Sequence, residues 1–188
     1  KRKHKIIKNK KMVFKKIIDS ETTITELMIP SYANIGGKVH GGVLLSLMDK
    51  VAYVAASKHC GGYCVTVAVE GVAFLSPIEV GELVSLKASV NYVGNTTMIV
   101  GIRVEALNPK TGIVNHTNSC YFTMAAKNEE GNLEQVPGLI LETDEHILRF
   151  LEGMQIKKFS KEKRDLLKAD NLNDNFRELL KEEKCKLI

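Results

Sequence analysis

Residues 41–56 read GGVLLSLMDKVAYVAA, the longest apolar stretch of the chain and the one that decides its fold. Apolar side chains lie nearly all round a helix drawn through it, so we expect a helix over about residues 41–57 that other elements enclose. Asp49 is the only acid in this stretch. A carboxylate buried in such a helix costs several kcal/mol unless it is paired, neutralised or used. We therefore expect Asp49 to be catalytic.

A polar, glycine-rich loop, NIGGKVHGG at residues 34–42, leads into this helix. The backbone N–H groups of Gly41, Gly42 and Val43 have no intrahelical acceptor at a helix start, and the helix dipole favours negative charge there. They can bind a developing oxyanion, and residues without a Cβ let a substrate approach closely. The plainer alternatives are a tight helix entry for the glycines and an ion pair with a lysine across an interface for Asp49.

The remainder of the central region is predicted to form strands. Alternating and β-branched runs bounded by turn residues predict strands at residues 21–29, 63–75, 82–93, 96–106 and 113–126. One long helix among five strands is an α+β pattern. We expect an antiparallel sheet, with its last four strands in a meander, to wrap around the helix. The exposed edges of so small a sheet favour a dimer.

The charge distribution divides the chain into three parts. The formal net charge is +5, from 27 Lys and Arg against 22 Asp and Glu, but residues 1–16 hold nine of the basic residues and no acid. We expect residues 1–16 to be a flexible basic arm, 17–140 to be the folded domain and 141–188 to be a charged helical extension. The arm has no aromatic interleaving and no recognition helix, so nucleic acid is not an expected partner.

Hydropathy and cysteine spacing exclude further classes. No run reaches the roughly 18 apolar residues that span a bilayer, and no secretory signal is recognisable. We expect a cytoplasmic protein, or an organellar one if the arm belongs to a longer targeting segment. Cys60 and Cys64 have C-x3-C spacing, but zinc needs about four ligands and no second Cys/His pair is suitably spaced. We expect no metal, and free thiols throughout.

Several stretches together resemble a known family. The pattern N-x5-H-G-G-x6-D, formed by Asn34, His40, Gly41, Gly42 and Asp49, is similar to the signature of the hotdog-fold acyl-CoA thioesterases of the YciA and brain-type acyl-CoA hydrolase group. Further similar stretches are VTVAVEGVAF at 65–74, VGNTTM at 93–98 and CYFTMAA at 120–126. The resemblance covers about residues 20–138 and leaves out the arm and the C-terminal extension.

The resemblance implies hydrolysis of an acyl-CoA thioester to CoA and a fatty acid, with no cofactor beyond the CoA of the substrate. It also implies homodimers assembled as trimers of dimers. Asn34 would be the catalytic asparagine and Asp49 the catalytic aspartate, facing each other from different subunits. The candidates for substrate contacts are His40, Gly41, Gly42, Val43, Asn95, Thr96 and Thr97. An ordinary loop and a hairpin turn use the same residue types.

The chemistry leaves alternatives open. The leaving group is a thiol with a pKa near ~8.5, so it needs little acid catalysis. Asp49 either activates a water as general base or attacks the carbonyl to form an anhydride, while Asn34 would hold the water. Two other functions stay open. One is an acyl-thioester hydratase or dehydratase, in which His40 and Asp49 imitate a histidine–acid pair, and the other is a non-catalytic acyl-CoA-binding module.

Overall fold

The computed structural model describes residues 13–168 and 184–185. Its elements in chain order are β1 Phe14–Lys16, β2 Thr22–Leu27, α1 Gly41–Cys60, β3 Tyr63–Phe74, β4 Leu83–Val93, β5 Thr97–Leu107, β6 Val114–Lys127, β7 Gly138–Ile140 and α2 Asp144–Leu166. Short 3-10 helices, Ile17–Asp19 and Pro30–Tyr32, precede β2 and α1 respectively. The α+β class and the five strands of the main sheet are confirmed.

The main sheet is antiparallel, with strand order β2-β4-β5-β6-β3. The expected four-strand meander is wrong. Strands β4, β5 and β6 do follow one another, but β3 pairs with β6 and β2 pairs with β4. The reason is α1, which at 20 residues is about 30 Å long. It carries the chain across the sheet from β2 at one edge to β3 at the other.

Helix α1 packs one face on the sheet and leaves the other open. The buried residues recur every three or four positions, as an amphipathic helix requires; they are Leu44, Leu47, Met48, Val51, Ala52, Ala55, Ala56 and His59. The opposite face exposes Leu45, Asp49, Tyr53 and Val54. The expectation that Asp49 is buried is therefore wrong for the single chain, because the sheet covers α1 from one side only.

The two ends of α1 are fixed by His40 and Gly61. The Nδ1 atom of His40 accepts the N–H of Gly42 at 2.9 Å and so caps the first turn. Gly61 adopts the left-handed conformation, with φ 76°, and its N–H donates to the carbonyl of Ser57 at 2.8 Å. A Gly in this conformation ends many helices because it has no Cβ to clash. The helix therefore extends to Cys60, three residues beyond the predicted end.

The last residues of the predicted basic arm form a strand that pairs with β7. Residues 14–16, expected in the basic arm, form β1 and pair in parallel with β7. The Phe14 ring lies over Gly138, where an added Cβ would meet the ring at 2.5 Å. This close contact ties the end of the arm to the segment after the sheet. Residues 1–12 of the predicted arm lie outside the described residues.

Helix α2 covers the sheet face opposite α1. The ring of Phe150 lies 5.0 Å from that of Tyr92, Gly153 packs directly on Tyr92, and Lys157 lies over the same ring at 5.4 Å. The helical extension is thus confirmed over Asp144–Leu166, whereas residues 169–183 and 186–188 of the predicted extension lie outside the described residues. Neither α1 nor α2 has the length and apolar character needed to cross a membrane.

Candidate active site

Asp49 and Thr66 meet where α1 faces β3. Asp49 lies in the third turn of α1, on its open face, and the Oγ1 of Thr66 donates to the Asp49 Oδ1 at 2.6 Å. A short hydrogen bond to an ionised oxygen fixes the direction of a carboxylate. Among the residues that the structure describes, no donor takes the second oxygen, Oδ2. The carboxylate is therefore held in place with one oxygen available for chemistry.

An open groove of about 530 Å³ lies beside this pair. It is lined by Asp49, Lys50, Tyr53, Val54, Tyr63, Cys64, Val65 and Thr66. The rings of Tyr53 and Tyr63 meet edge to face with centroids 6.3 Å apart and form one wall. An apolar and aromatic groove with a few placed polar groups is the usual form of a small-molecule site. It suits a ligand that has an apolar chain and one reactive polar group.

Asn34 organises the loop before α1. Its Oδ1 accepts the N–H groups of Gly36 at 2.9 Å and Lys38 at 3.2 Å, and its own N–H donates to the Lys38 carbonyl at 2.7 Å. The side-chain oxygen is thus occupied by an Asx-type turn, and the Nδ2 amide is the group left to act. Asn34 is exposed and does not line the Asp49 groove of the same chain. The single chain does not bring the two predicted residues together.

The expectation of three free amides at the start of α1 is wrong for two of them. Gly42 N–H donates to His40 Nδ1, and Val43 N–H donates to the His40 carbonyl at 3.0 Å. Only the N–H of Gly41 has no acceptor within the described part of the chain. Gly41 also packs on the Phe74 ring, where an added Cβ would lie 3.3 Å away. His40 acts here as a helix cap, and its accepting Nδ1 places the proton of the neutral ring on Nε2.

The predicted CoA contacts lie in the β4–β5 turn, for Asn95 and Thr96, and at the first residue of β5, for Thr97. Thr97 Oγ1 accepts from Lys157 Nζ at 3.3 Å, which adds a cation from α2 to the turn. In the sheet, Thr97 is in register with Ala125, which pairs with Val65 of β3. The turn therefore lies at the same end of the sheet as the start of β3, about 10 Å away across two strand spacings. It does not line the Asp49 groove.

Thr66 is the site residue that the sequence analysis missed. It stands inside the stretch VTVAVEGVAF, where a threonine reads as an ordinary β-former. A signal was available, because Thr66 falls on the strand face that also carries Cys64, the face turned toward the helix.

Metal ligands do not cluster in the described part of the chain. No group of three or more His, Cys, Asp or Glu side chains converges among residues 13–168 and 184–185.

Known proteins match most of the chain. A family model described as the thioesterase superfamily matches residues 36–113. Protein VdlD of Helicobacter pylori is 45% identical over 131 residues, which cover 70% of this chain and 75% of that protein. A Bacillus subtilis protein named uncharacterized acyl-CoA thioester hydrolase YkhA is 30% identical over 130 residues, which cover 69% of this chain and 76% of that protein.

Solved structures match over a larger share. The acyl-CoA hydrolase of Staphylococcus aureus, in complex with butyryl coenzyme A, coenzyme A and coenzyme A disulfide, aligns with a TM-score of 0.78 at 26% identity, covering 84% of this chain and 96% of that one. Variants of that hydrolase with an aspartate or a threonine replaced by alanine align with TM-scores of 0.78 and 0.75. A hexameric acyl-CoA thioesterase aligns at 0.79 with 30% identity, covering 84% of this chain and 100% of that one. The fold and family expected from the resemblance are confirmed, and the chain belongs to the hotdog-fold acyl-CoA thioester hydrolases.

Proposed function

We propose that this protein hydrolyses acyl-CoA to CoA and a carboxylic acid in the groove beside Asp49. The observation that carries the proposal is the Asp49–Thr66 pair, a hydrogen-bonded carboxylate at the rim of an open apolar groove. The aspartate and threonine replaced in the Staphylococcus aureus variants have the same sequence separation as Asp49 and Thr66 in this chain. That spacing supports the assignment of both residues to the reaction.

Asp49 supplies the carboxylate for the first step. Its free Oδ2 either takes a proton from an attacking water or attacks the thioester carbonyl itself. Thr66 keeps Oδ1 engaged, so that the orientation of the carboxylate does not change during the reaction. The departing thiol has a pKa of about 8.5 and leaves as a thiolate with little acid assistance. The Asp49–Thr66 pair therefore suffices for the bond-breaking steps if other groups polarise the thioester carbonyl.

Asn34 and Gly41 are the groups that can polarise the carbonyl. The Nδ2 of Asn34 and the backbone N–H of Gly41 are donors without an acceptor among the described residues, and both belong to the loop and helix start at residues 34–43. Donors aimed at the oxygen that gains charge in the transition state stabilise that charge. We assign Asn34 to binding the thioester oxygen through Nδ2, since its Oδ1 already holds the loop.

A second copy of the chain completes the site. Strand β3 is an edge of the sheet, and it runs from Tyr63, near Asp49, to Phe74, which packs on Gly41. If two β3 strands pair antiparallel about a two-fold axis, the Phe74 end of each strand lies beside the Tyr63 end of the other. The 34–43 loop of one copy then faces the Asp49 groove of its partner. The same pairing covers the exposed Val67 and Val69 of β3.

Each homodimer therefore has two composite sites, and the hexamer of the related thioesterase supports a trimer of such dimers. In this assembly the β4–β5 turn, with Asn95, Thr96 and the nearby Lys157, is the proposed contact for the polar part of CoA. A cation beside backbone and hydroxyl donors is suited to bind phosphate. Because His40 Nδ1 accepts the Gly42 N–H, the other ring nitrogen carries the proton of the neutral ring and cannot act as a base, which disfavours a hydratase reaction that uses His40 as its base.

The proposal is tested with the purified full chain on saturated acyl-CoAs of short, medium and long chain length. Thiol release would be followed for the wild type and for Asp49→Asn, which keeps the size of the side chain. We expect kcat to fall by about two to four powers of ten, because the carboxamide can neither act as base nor attack. Equal rates for an assembled Asp49→Asn protein would overturn the mechanism.

Two further measurements distinguish the alternatives. With an enoyl-CoA substrate, loss of the double bond without thiol release would identify a hydratase. Acyl-CoA binding with no turnover of any chain length would identify a binding module. The thioesterase proposal requires thiol release from at least one acyl-CoA, and either of these two outcomes would contradict it.

A further inference from the structure

Cys60 and Cys64 face each other at the end of α1. Their sulfurs are 3.2 Å apart, and both are thiols in this structure. A disulfide has an S–S bond of about 2.05 Å, so closure needs a movement of roughly 1 Å. Gly61, with its left-handed φ of 76°, folds β3 back onto the end of the helix and brings the two cysteines together.

The two cysteines differ in access. Cys60 lines a cavity of about 320 Å³, which Lys15, Gly62 and Lys127 also line. Cys64 is only 2% exposed. A small reagent can therefore reach Cys60 from this cavity, whereas Cys64, which borders the Asp49 groove, is almost fully buried there. This is the arrangement of an attacking thiol and a resolving thiol.

The surroundings also favour Cys60 as the attacking thiol. The hydrogen bond with Cys64 lowers the pKa of Cys60 and is the largest effect; burial, the next largest, opposes it, and the Gly62 N–H at 3.3 Å and the charge of Lys15 lower the pKa further. The pKa of Cys64 is raised by that same hydrogen bond and by burial. Burial raises the pKa of Cys120 to about 12, which makes that thiol unreactive.

We propose that Cys60 and Cys64 are a redox-active thiol pair that small-molecule disulfides oxidise to a reversible intramolecular disulfide, and that this disulfide slows the Asp49 site, a regulation that rests on the proposed function. The Cys60 thiolate attacks one sulfur of the small disulfide, forms a mixed disulfide and releases one thiolate. Cys64 then attacks the Cys60 sulfur and releases the second thiol, which takes the Cys64 proton. The two cysteines are oxidised and the small disulfide is reduced to two thiols.

The link to the active site follows from lengths along the two elements. Asp49 and Cys60 are both on α1, eleven residues and about 16 Å apart. Their contacts on β3, Thr66 and Cys64, are only about 7 Å apart. The spacing on β3 is shorter than the spacing on α1, so the two contacts act on the start of β3 in opposite directions along the helix. The Asp49–Thr66 contact draws it toward the start of α1, and the Cys60–Cys64 contact draws it toward the end of α1. Closing the disulfide draws β3 toward the end of α1 and lengthens the Thr66–Asp49 hydrogen bond.

The proposed disulfide is suited to reversal. It closes a loop of only residues 60–64, and the chain-entropy stabilisation from a disulfide grows with the length of the loop it closes. So short a loop contributes little, and strain in the linked state would favour reduction further. Such a bond forms and breaks with the thiol–disulfide balance of the surroundings instead of serving as a permanent staple.

The test exposes the reduced full chain to glutathione disulfide and removes the reagent before assay. Peptide mass spectrometry without reductant would follow the tryptic peptide that contains both cysteines. We expect it to lose two hydrogen masses. We also expect kcat for acyl-CoA hydrolysis to fall about ten-fold, the scale of losing a hydrogen bond to a charged group, and to recover with dithiothreitol.

Single substitutions distinguish the attacking cysteine from the resolving cysteine. Cys64→Ser should accumulate a glutathione adduct on Cys60, and Cys60→Ser should resist both oxidation and loss of activity. Cys185→Ser is the matched control and should behave as the wild type. Failure of the Cys60–Cys64 link to form, or a link that leaves kcat unchanged, would overturn the proposal. If the reduced protein hydrolyses no acyl-CoA, the proposed function fails, while the mass measurement still decides whether the thiol pair exists.

Discussion

The carboxylate of Asp49 is exposed in the single chain. The sheet covers one face of α1, and Asp49 lies on the other with Leu45, Tyr53 and Val54. An apolar face that stays open in one chain needs a second surface to cover it. The same uncovered face carries the carboxylate that we propose to be catalytic. The packing of α1 on one side of the sheet therefore bears on both the proposed assembly and the proposed catalysis.

Thr66 gives the sharpest prediction at the residue scale. Thr66→Val keeps the shape of the side chain but removes the hydroxyl that donates to Asp49 Oδ1. We expect kcat to fall about ten-fold or more with little change in KM, because a hydrogen bond to a charged group is lost. Steady-state thiol release would measure it. Thr66→Ser keeps the donor and should stay near the wild-type rate; a Ser variant as slow as the Val variant would contradict the role of the hydroxyl.

At the scale of elements, the positions of the five main-sheet strands were predicted within a few residues, but β1, β7 and the strand order were not. Turn residues such as Gly94, Pro109 and Gly131 mark where strands end, and alternation marks which side chains share a face. Neither property tells a strand which neighbour it pairs with. The position of β3 beside β6 depends on the length of α1 and on which edge it reaches. Likewise, the start of β1 depends on a contact between Phe14 and Gly138, residues far apart in sequence.

Gly153 of helix α2 packs directly on Tyr92 of β4, which reverses a common expectation for glycine in a helix. Gly→Ala in an open helix position gains up to about 1 kcal/mol. At Gly153 an added Cβ would lie 2.6 Å from the Tyr92 Cβ. We expect Gly153→Ala to destabilise the protein by about 1–3 kcal/mol through overpacking, measured by urea unfolding. Gln155→Ala, at an exposed position of α2, should be nearly neutral; a stabilised Gly153→Ala protein would contradict the close packing.

At the scale of the whole molecule, the composite site can be tested by mixing subunits. Asn34→Ala and Asp49→Ala proteins, each inactive alone, are unfolded together and reassembled. Half of the dimers should then be mixed, each with one intact site, so activity should return to about a quarter of the wild-type value for a two-fold dimer. Thiol release and native mass spectrometry would measure activity and exchange. Proven exchange without recovery would place Asn34 and Asp49 in the same subunit's site.

The sequence by itself determined the helix, the five strands of the main sheet and the resemblance to the thioesterases, and it made Asp49 the candidate catalytic residue, because local periodicity and a motif of fixed spacing carry that information. Tertiary structure decided which amides remain free at the start of α1, since His40 takes two of the three, and it supplied Thr66 as the partner of Asp49. It also showed that Asn34 and Asp49 do not meet within one chain. These features depend on contacts between residues distant in sequence, and the period of a helix or strand does not encode such contacts.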